Sequence, residues 1–353
     1  MKEAGQQQDI AALAKGGRTN VAGFLIRLLA RIPFLIIASR MYGAEAMGRF
    51  ASALVMVEFA AQLCTLGQKR GLAARLTEGD QHPANAVADA MLLNALLAVV
   101  ATGLIWLFPL TMYPKGNFTM AEHLLVLAIL PSGLTDIALS ALAYRFDVAT
   151  SVRARAVAEP WALSIAAGLL YFTDPKGGLS LAYLASMFAA WAVAMVPLLR
   201  AYGLPKAWRP HPIRLWQLGA ANMPLAMADI VEWGTRKLDV FVLRFFVGEA
   251  PLGIYFFAQQ FASLPQKLKT SFEPVLGPVI TRNVQDRNYA AIARQVCQVG
   301  FWIVVAQLGI ALALGVAGEG LMGLGGPGFV GGTGALVFLL LAEVVASTAV
   351  VSE

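Results

Sequence analysis

The sequence predicts an all-α polytopic membrane protein: two parallel, pseudo-repeated helix bundles, with about ten transmembrane helices present of an expected twelve or more. Three observations carry this prediction: apolar runs of spanning length, basic residues concentrated in every second loop, and an internal sequence repeat.

Of the 353 residues, 58% are hydrophobic and only 14% charged, and the mean hydropathy is +0.66. A soluble domain of this size needs more charge to cover its surface. Met91 to Pro109, Leu179 to Leu199 and Val299 to Gly318 contain no Asp, Glu, Lys or Arg, and runs of that length cross about 30 Å of hydrocarbon. The alternating ten-residue pattern of a membrane β-barrel is absent. Hydropathy places spans near 19–39, 49–67, 86–109, 123–144, 157–173, 179–199, 217–243, 251–265, 295–317 and 333–350.

Against that map, 18 of the 27 Lys and Arg fall in the amino terminus and alternate loops, including Lys69, Arg70, Arg155 and Arg214. The intervening loops carry 5, among them Arg49, Lys115 and Arg244. This asymmetry is the positive-inside pattern and predicts a cytoplasmic amino terminus. It also accounts for the net charge of +6 without a nucleic-acid partner. The two cysteines, Cys64 and Cys297, form no disulfide or metal framework. The first 18 residues lack the layout of a cleavable signal, so the first span is expected to be retained.

Gly43-Ala44-Glu45-Ala46-Met47-Gly48-Arg49-Phe50, with Ala53, matches Gly248-Glu249-Ala250-Pro251-Leu252-Gly253-Ile254-Tyr255, with Ala258, at an offset of 205 residues. Each copy sits between two spans, with glycines suited to a tight turn and an aromatic at the membrane interface. The repeat implies an amino-terminal bundle over residues 1–205 and a second bundle over 206–353. Two such units need about 410 residues, so further carboxy-terminal helices are expected beyond Glu353.

Ionisable groups inside spans are expensive in lipid and mark cavities or partners. In the first span Arg27 and Arg31 lie four apart on one face. The second carries Glu58 in register with Gln62 and Thr65; the fourth carries Asp136 between Ser132 and Ser140. The seventh lines up Asn222, Asp229, Glu232, Arg236 and Asp239, with Lys237 adjacent. The offset maps Arg31 onto Arg236 and Arg27 onto Glu232. The bland reading is structural: Glu232 pairs with Arg236 along the helix, and Glu58 neutralises Arg27 or Arg31. The functional reading uses the mutual repulsion of two neighbouring arginines, which a phosphate ligand would relieve. Trp191, Trp233 and Tyr255 are more often packing residues at such depths than sugar platforms. No phosphate-binding loop of the ATPase type and no histidine cluster is present, and no catalytic residue, metal or cofactor is expected.

The first span with its arginines, the Gly43-x4-Gly48-Arg49-Phe50 run, the Lys237-Leu238-Asp239-Val240-Phe241-Val242-Leu243 run and the Gly248-x4-Gly253-Ile254-Tyr255 run resemble the Wzx-type polysaccharide flippases. These belong to the multidrug/oligosaccharidyl-lipid/polysaccharide exporter (MOP) superfamily. The resemblance covers essentially the whole chain through loose motifs. It implies a non-enzymatic, multi-pass transporter of the bacterial inner membrane, working by alternating access. Its substrate would be a polyprenyl-diphosphate-linked oligosaccharide destined for exopolysaccharide or lipopolysaccharide. The diphosphate would meet Arg27, Arg31, Arg236 and Lys237. A coupling cation, H+ or Na+, would use Glu58, Asp136, Asp229, Glu232 or Asp239. The competing reading is a cation-coupled multidrug or metabolite antiporter of the same superfamily, against which the paired arginines argue. A membrane-embedded glycosyl or acyl transferase would need a catalytic carboxylate or histidine in a sizeable loop, and the loops are short and basic.

Overall fold

The computed structural model describes residues 30–78, 81–265 and 289–349, and these are helical or in short connections, with no strand among them. Five helical segments among the described residues are long and apolar enough to cross a membrane: Ala30–Glu78, Pro83–Leu107, Met120–Tyr144, Gly178–Tyr202 and Pro327–Ala346. The chain divides into two compact units, one spanning Leu29–Gly253 and the other containing Ile254–Glu353.

In the larger unit, helix α1 (residues 30–37) runs through a π-helical turn, Ala38–Tyr42, into α2 (Gly43–Thr65). There follow α3 (Gln68–Glu78), α4 (Pro83–Leu107), the short α5 (Met120–His123), α6 (Ile129–Tyr144) and α7 (Val148–Val152). Next come α8 (Glu159–Leu170), α9 (Gly178–Tyr202), α10 (Pro212–Ala221) and α11 (Met223–Phe246). A second π-helical segment, Arg153–Ala158, precedes α8. Pro160 has no N–H to give the carbonyl four residues back, so the register loosens there.

Lipid offers little hydrophobic drive for helix association, so close packing depends on small residues. That is the composition seen where α6 packs on α4 and α9: Ala90, Ala98, Ala138, Ala141, Ala190 and Ala194 are all buried. The helices α2 and α6 lie deepest, while α4 turns Leu96, Val99, Val100 and Leu104 outward. Phe108, Phe172 and Phe246 are exposed at helix ends, the positions an interfacial aromatic belt occupies.

The helix α12 (Glu249–Ala262) begins in this unit. Its start lies against α2 at a pair of glycines. A Cβ on Gly48 would fall 2.6 Å from the Glu249 carbonyl carbon and 3.0 Å from Gly253 N. A Cβ on Gly253 would fall 2.8 Å from Gly48 N and 2.9 Å from the Ala44 carbonyl carbon. The backbones meet at a distance that no larger residue permits.

In the smaller unit, α13 (Tyr289–Val316) packs on α15 (Thr333–Ala349), with α14 (Gly318–Gly323) between them in sequence. Phe257 of α12 is fully buried and meets Phe329 at 4.9 Å between ring centroids.

Candidate functional site

The ionisable residues expected on the seventh span fall on α11, which packs on α2 and α3. Asp229 is buried. Arg70 Nε lies 2.8 Å and Lys69 Nζ 3.7 Å from its Oδ1. Neither Asp229 oxygen has an aligned hydrogen-bond donor, so the attraction is ionic and off-axis. Arg70 also pairs with Glu232, and Glu232 pairs with Arg236 at 2.9 Å, one turn along α11. Lys237 sits 3.6 Å from Glu58 on α2, and Lys69 donates to Gln62 Oε1 at 3.2 Å. The Asp239 carboxylate accepts from the Val240 N–H at 2.8 Å. One continuous chain of opposite charges therefore joins Lys69, Asp229, Arg70, Glu232 and Arg236, with Glu58 and Lys237 as a second pair.

Helical spacing explains the gathering. Asp229, Glu232 and Arg236 recur at intervals of three and four and share one side of α11. The structural pairing of Glu232 with Arg236 is present, and Glu58 is matched by Lys237. Arg236 and Glu232 remain 48% and 39% exposed, so water screens this pair and it contributes at most about 1 kcal/mol. Asp229 is different: an enclosed carboxylate is expensive unless cations stay beside it.

Asp136 belongs to a separate cluster. Arg155, in the π-helical segment before α8, binds Asp136 and meets Glu159 at 2.9 Å. Arg31 is exposed on α1, and Arg27 lies outside the described residues. Trp233 packs against Phe59 at 4.6 Å and Phe241 at 5.9 Å between ring centroids, in keeping with a packing role.

Several charged residues matter in ways the sequence reading missed. Arg49 Nε donates to Glu122 Oε1 at 2.8 Å, and Arg49 Nη1 lies 3.2 Å from Glu249. Glu122 also completes a capping box with Thr119 at α5. At the other end of α4, the buried Asp89 accepts from Trp208 Nε1 at 2.8 Å and faces Arg75 at 3.2 Å and Arg214 at 3.8 Å. Arg49, Arg75 and Arg214 read as loop charges. Only three-dimensional proximity shows that they close rings around carboxylates. What the α11 arrangement offers chemically is partner exchange among fixed cations and carboxylates.

The chain matches the polysaccharide biosynthesis protein family over residues 37–313. No curated protein matches it in sequence. Among solved structures it is similar to a multidrug resistance MATE family transporter of the MOP superfamily in an inward-facing conformation. That likeness has a TM-score of 0.65 at 13% identity, covering 95% of this chain and 82% of the other. It is also similar to a mutant of the Vibrio cholerae MATE transporter VcmN, with a TM-score of 0.56 at 13% identity over 97% and 84% of the two chains. A MATE structure in a bent conformation gives 0.55 at 11% identity, over 96% and 82%. The chain belongs to the polysaccharide biosynthesis protein family, and its helical fold is that of the MATE transporters of the MOP superfamily.

Proposed function

We propose that the protein flips polyprenyl-diphosphate-linked oligosaccharides from the cytoplasmic to the periplasmic leaflet of a bacterial inner membrane by alternating access. The observation that carries this reading, beside family membership, is the half-exposed run of cations along α3 and α11. Lys69, Arg70, Arg236 and Lys237 all lie beside carboxylates. A diphosphate offers these cations the charge that the carboxylates now supply, and guanidinium groups bind its oxygens in a fork. Arg27 and Arg31 would complete the set from the first helix. Glu58, Asp136, Asp229, Glu232 and Asp239 are the candidate H+ or Na+ sites, of which Asp229 is the most enclosed. The contact of Gly48 with Gly253 supports the repeat, because Ala44 and Glu249, like Gly48 and Gly253, are 205 residues apart. In this reading residues 1–205 and 206–353 are the two repeats that rock, with the amino terminus cytoplasmic.

The test is flipping of a fluorescent polyprenyl-diphosphate sugar in proteoliposomes, comparing wild type, an Arg27→Ala/Arg31→Ala variant and an Arg236→Gln/Lys237→Gln variant. Each lost charge-assisted contact removes roughly 1.5–3 kcal/mol, so each double variant should lose at least tenfold in apparent affinity. Equal flipping by all three would reduce these cations to structural partners. No flipping by wild type would favour the second reading, a cation-coupled multidrug or metabolite antiporter, which the MATE fold neighbours support.

A further inference from the structure

At the carboxy-terminal end of α11 a pocket opens on one side, with about 270 Å³ of empty space including the part continuous with solvent. Arg49, Ser52, Tyr113, Lys115, Arg244 and Val247 line it. Arg244 is 3% exposed. Its Nη1 donates to the Ser52 carbonyl at 3.2 Å, and its guanidinium carbon lies 4.4 Å from the Phe241 ring centroid and 4.7 Å from that of Phe245. Its Nε has no acceptor, and among the described residues no carboxylate stands within ion-pair distance of it. Ring faces and the negative end of α11 compensate only part of a buried charge. The other cations of the pocket differ. Arg49 is already held by Glu122 and Glu249. The Lys115 ammonium donates to the Val247 carbonyl, which neutralises no charge.

We propose that this pocket binds a phosphoryl oxyanion, with the Arg244 guanidinium and the Lys115 ammonium as its donors. Among the described residues the two cations have no carboxylate of their own, whereas the wall that carries Glu249 is matched by Arg49. Phe245 and Phe246, beside the pocket, are exposed, as expected where a helix end meets lipid headgroups. A phosphodiester headgroup reaches such a site from the bilayer; free phosphate supplies the same chemistry from water. Neither Arg244 nor Lys115 belongs to the cations proposed for transport, so the site stands independently of that reading.

The test uses the full chain in nanodiscs of a zwitterionic phospholipid, with unfolding followed by tryptophan fluorescence. One arm adds inorganic phosphate; the other replaces part of the lipid with an anionic phospholipid. A ligand of the folded state raises Tm as its concentration passes Kd. Lys115→Gln and Arg244→Gln should each weaken that response about tenfold or more, the worth of one charge-assisted hydrogen bond. Lys176→Gln, a basic loop residue outside the pocket lining, should leave it unchanged. Stabilisation in the lipid arm alone identifies a headgroup site, and stabilisation in both arms identifies an open oxyanion pocket. If Arg244→Gln fails to fold, Lys115→Gln decides. No stabilisation in either arm, or equal losses in Lys115→Gln and Lys176→Gln, overturns the proposal.

Discussion

Replacing Gly48 or Gly253 by alanine tests the backbone contact on which the start of α12 rests. Carbon atoms in ordinary contact stand about 3.5–4.0 Å apart. The new Cβ at 48 would stand 2.6 Å from the Glu249 carbonyl carbon, and that at 253 would stand 2.9 Å from the Ala44 carbonyl carbon. In both cases the obstacle is backbone, so no rotamer change relieves it, and the helices must part by about 1 Å. Overpacking of this kind costs about 1–3 kcal/mol, and a backbone obstacle places each variant at the upper end. The two substitutions are coupled, because parting the helices for one Cβ makes room for the other. The double variant should therefore cost about 1 kcal/mol or more less than the sum of the singles.

The assay is equilibrium unfolding of the purified protein in detergent or nanodiscs, with Gly103→Ala as control. Gly103 lies within α4, and a Cβ there meets nothing within 4 Å. The same chemical change should there stabilise by up to about 1 kcal/mol through helix propensity. The reasoning is refuted if Gly48→Ala and Gly253→Ala match Gly103→Ala, or if their costs simply add.

Other expectations follow from charge and capping. Asp89→Ala strips the carboxylate from Arg75, Arg214 and Trp208; losing these charge-assisted bonds costs about 1.5–3 kcal/mol, measurable as lost thermal stability and exposure of the 203–211 connection to protease. Asp147 caps α7, accepting from the Thr150 N–H at 3.1 Å and its hydroxyl at 2.6 Å. These bonds hold its carboxyl below the ordinary carboxylate range. Its contribution is complete above the unfolded carboxyl pKa of about 3.9 and fades as pH falls through the lower folded value. Asp147→Ala should cost about 1 kcal/mol at neutral pH, and the difference from wild type should vanish in acid unfolding titrations. Glu232→Gln releases Arg70 and Arg236 from their shared carboxylate; binding of a polyprenyl diphosphate should tighten severalfold while flipping slows, and weaker binding would contradict the proposed exchange of partners.

The helical class and the line of acidic and basic residues on α11 were legible because both are periodic properties of one segment. Hydropathy averages over about 20 residues, and helical spacing puts Asp229, Glu232 and Arg236 on one side whatever surrounds them. Their partners were not legible. Arg70 meets Glu232 across 162 residues of sequence, and nothing local marks either as half of a pair. Lys69, Arg70 and Arg155 read as loop charges because they flank apolar runs. In the fold, α3 follows α2 after a two-residue turn and carries Arg70 against α11. Arg244 also read as a loop charge, although α11 continues to Phe246 and its side chain is buried. The repeated glycine motif reads in sequence as a turn between spans, whereas Gly48 lies inside α2 and Gly253 inside α12; their backbone-to-backbone contact needed coordinates, since nothing in the sequence says which glycine another will touch.

The charge content of α11 bears on how such a protein turns over. Asp229, Glu232, Arg236, Lys237, Asp239 and Arg244 lie on one helix, and a helix resting permanently in hydrocarbon would not retain them. If Lys69, Arg70, Arg236 and Lys237 were bare, a diphosphate would bind tightly and leave slowly. With Asp229, Glu232 and Glu58 already beside them, an arriving phosphate gains only the difference between two partners. Substrate binding is then weak enough to reverse. In the proposed reading the displaced carboxylates become the acceptors for a proton or metal cation, which would link release of the lipid to an ion gradient through the same few side chains. On that argument the structural pairing and the proposed transport role are not rivals: the carboxylates would stabilise the empty state by occupying, electrostatically, the place proposed for the substrate.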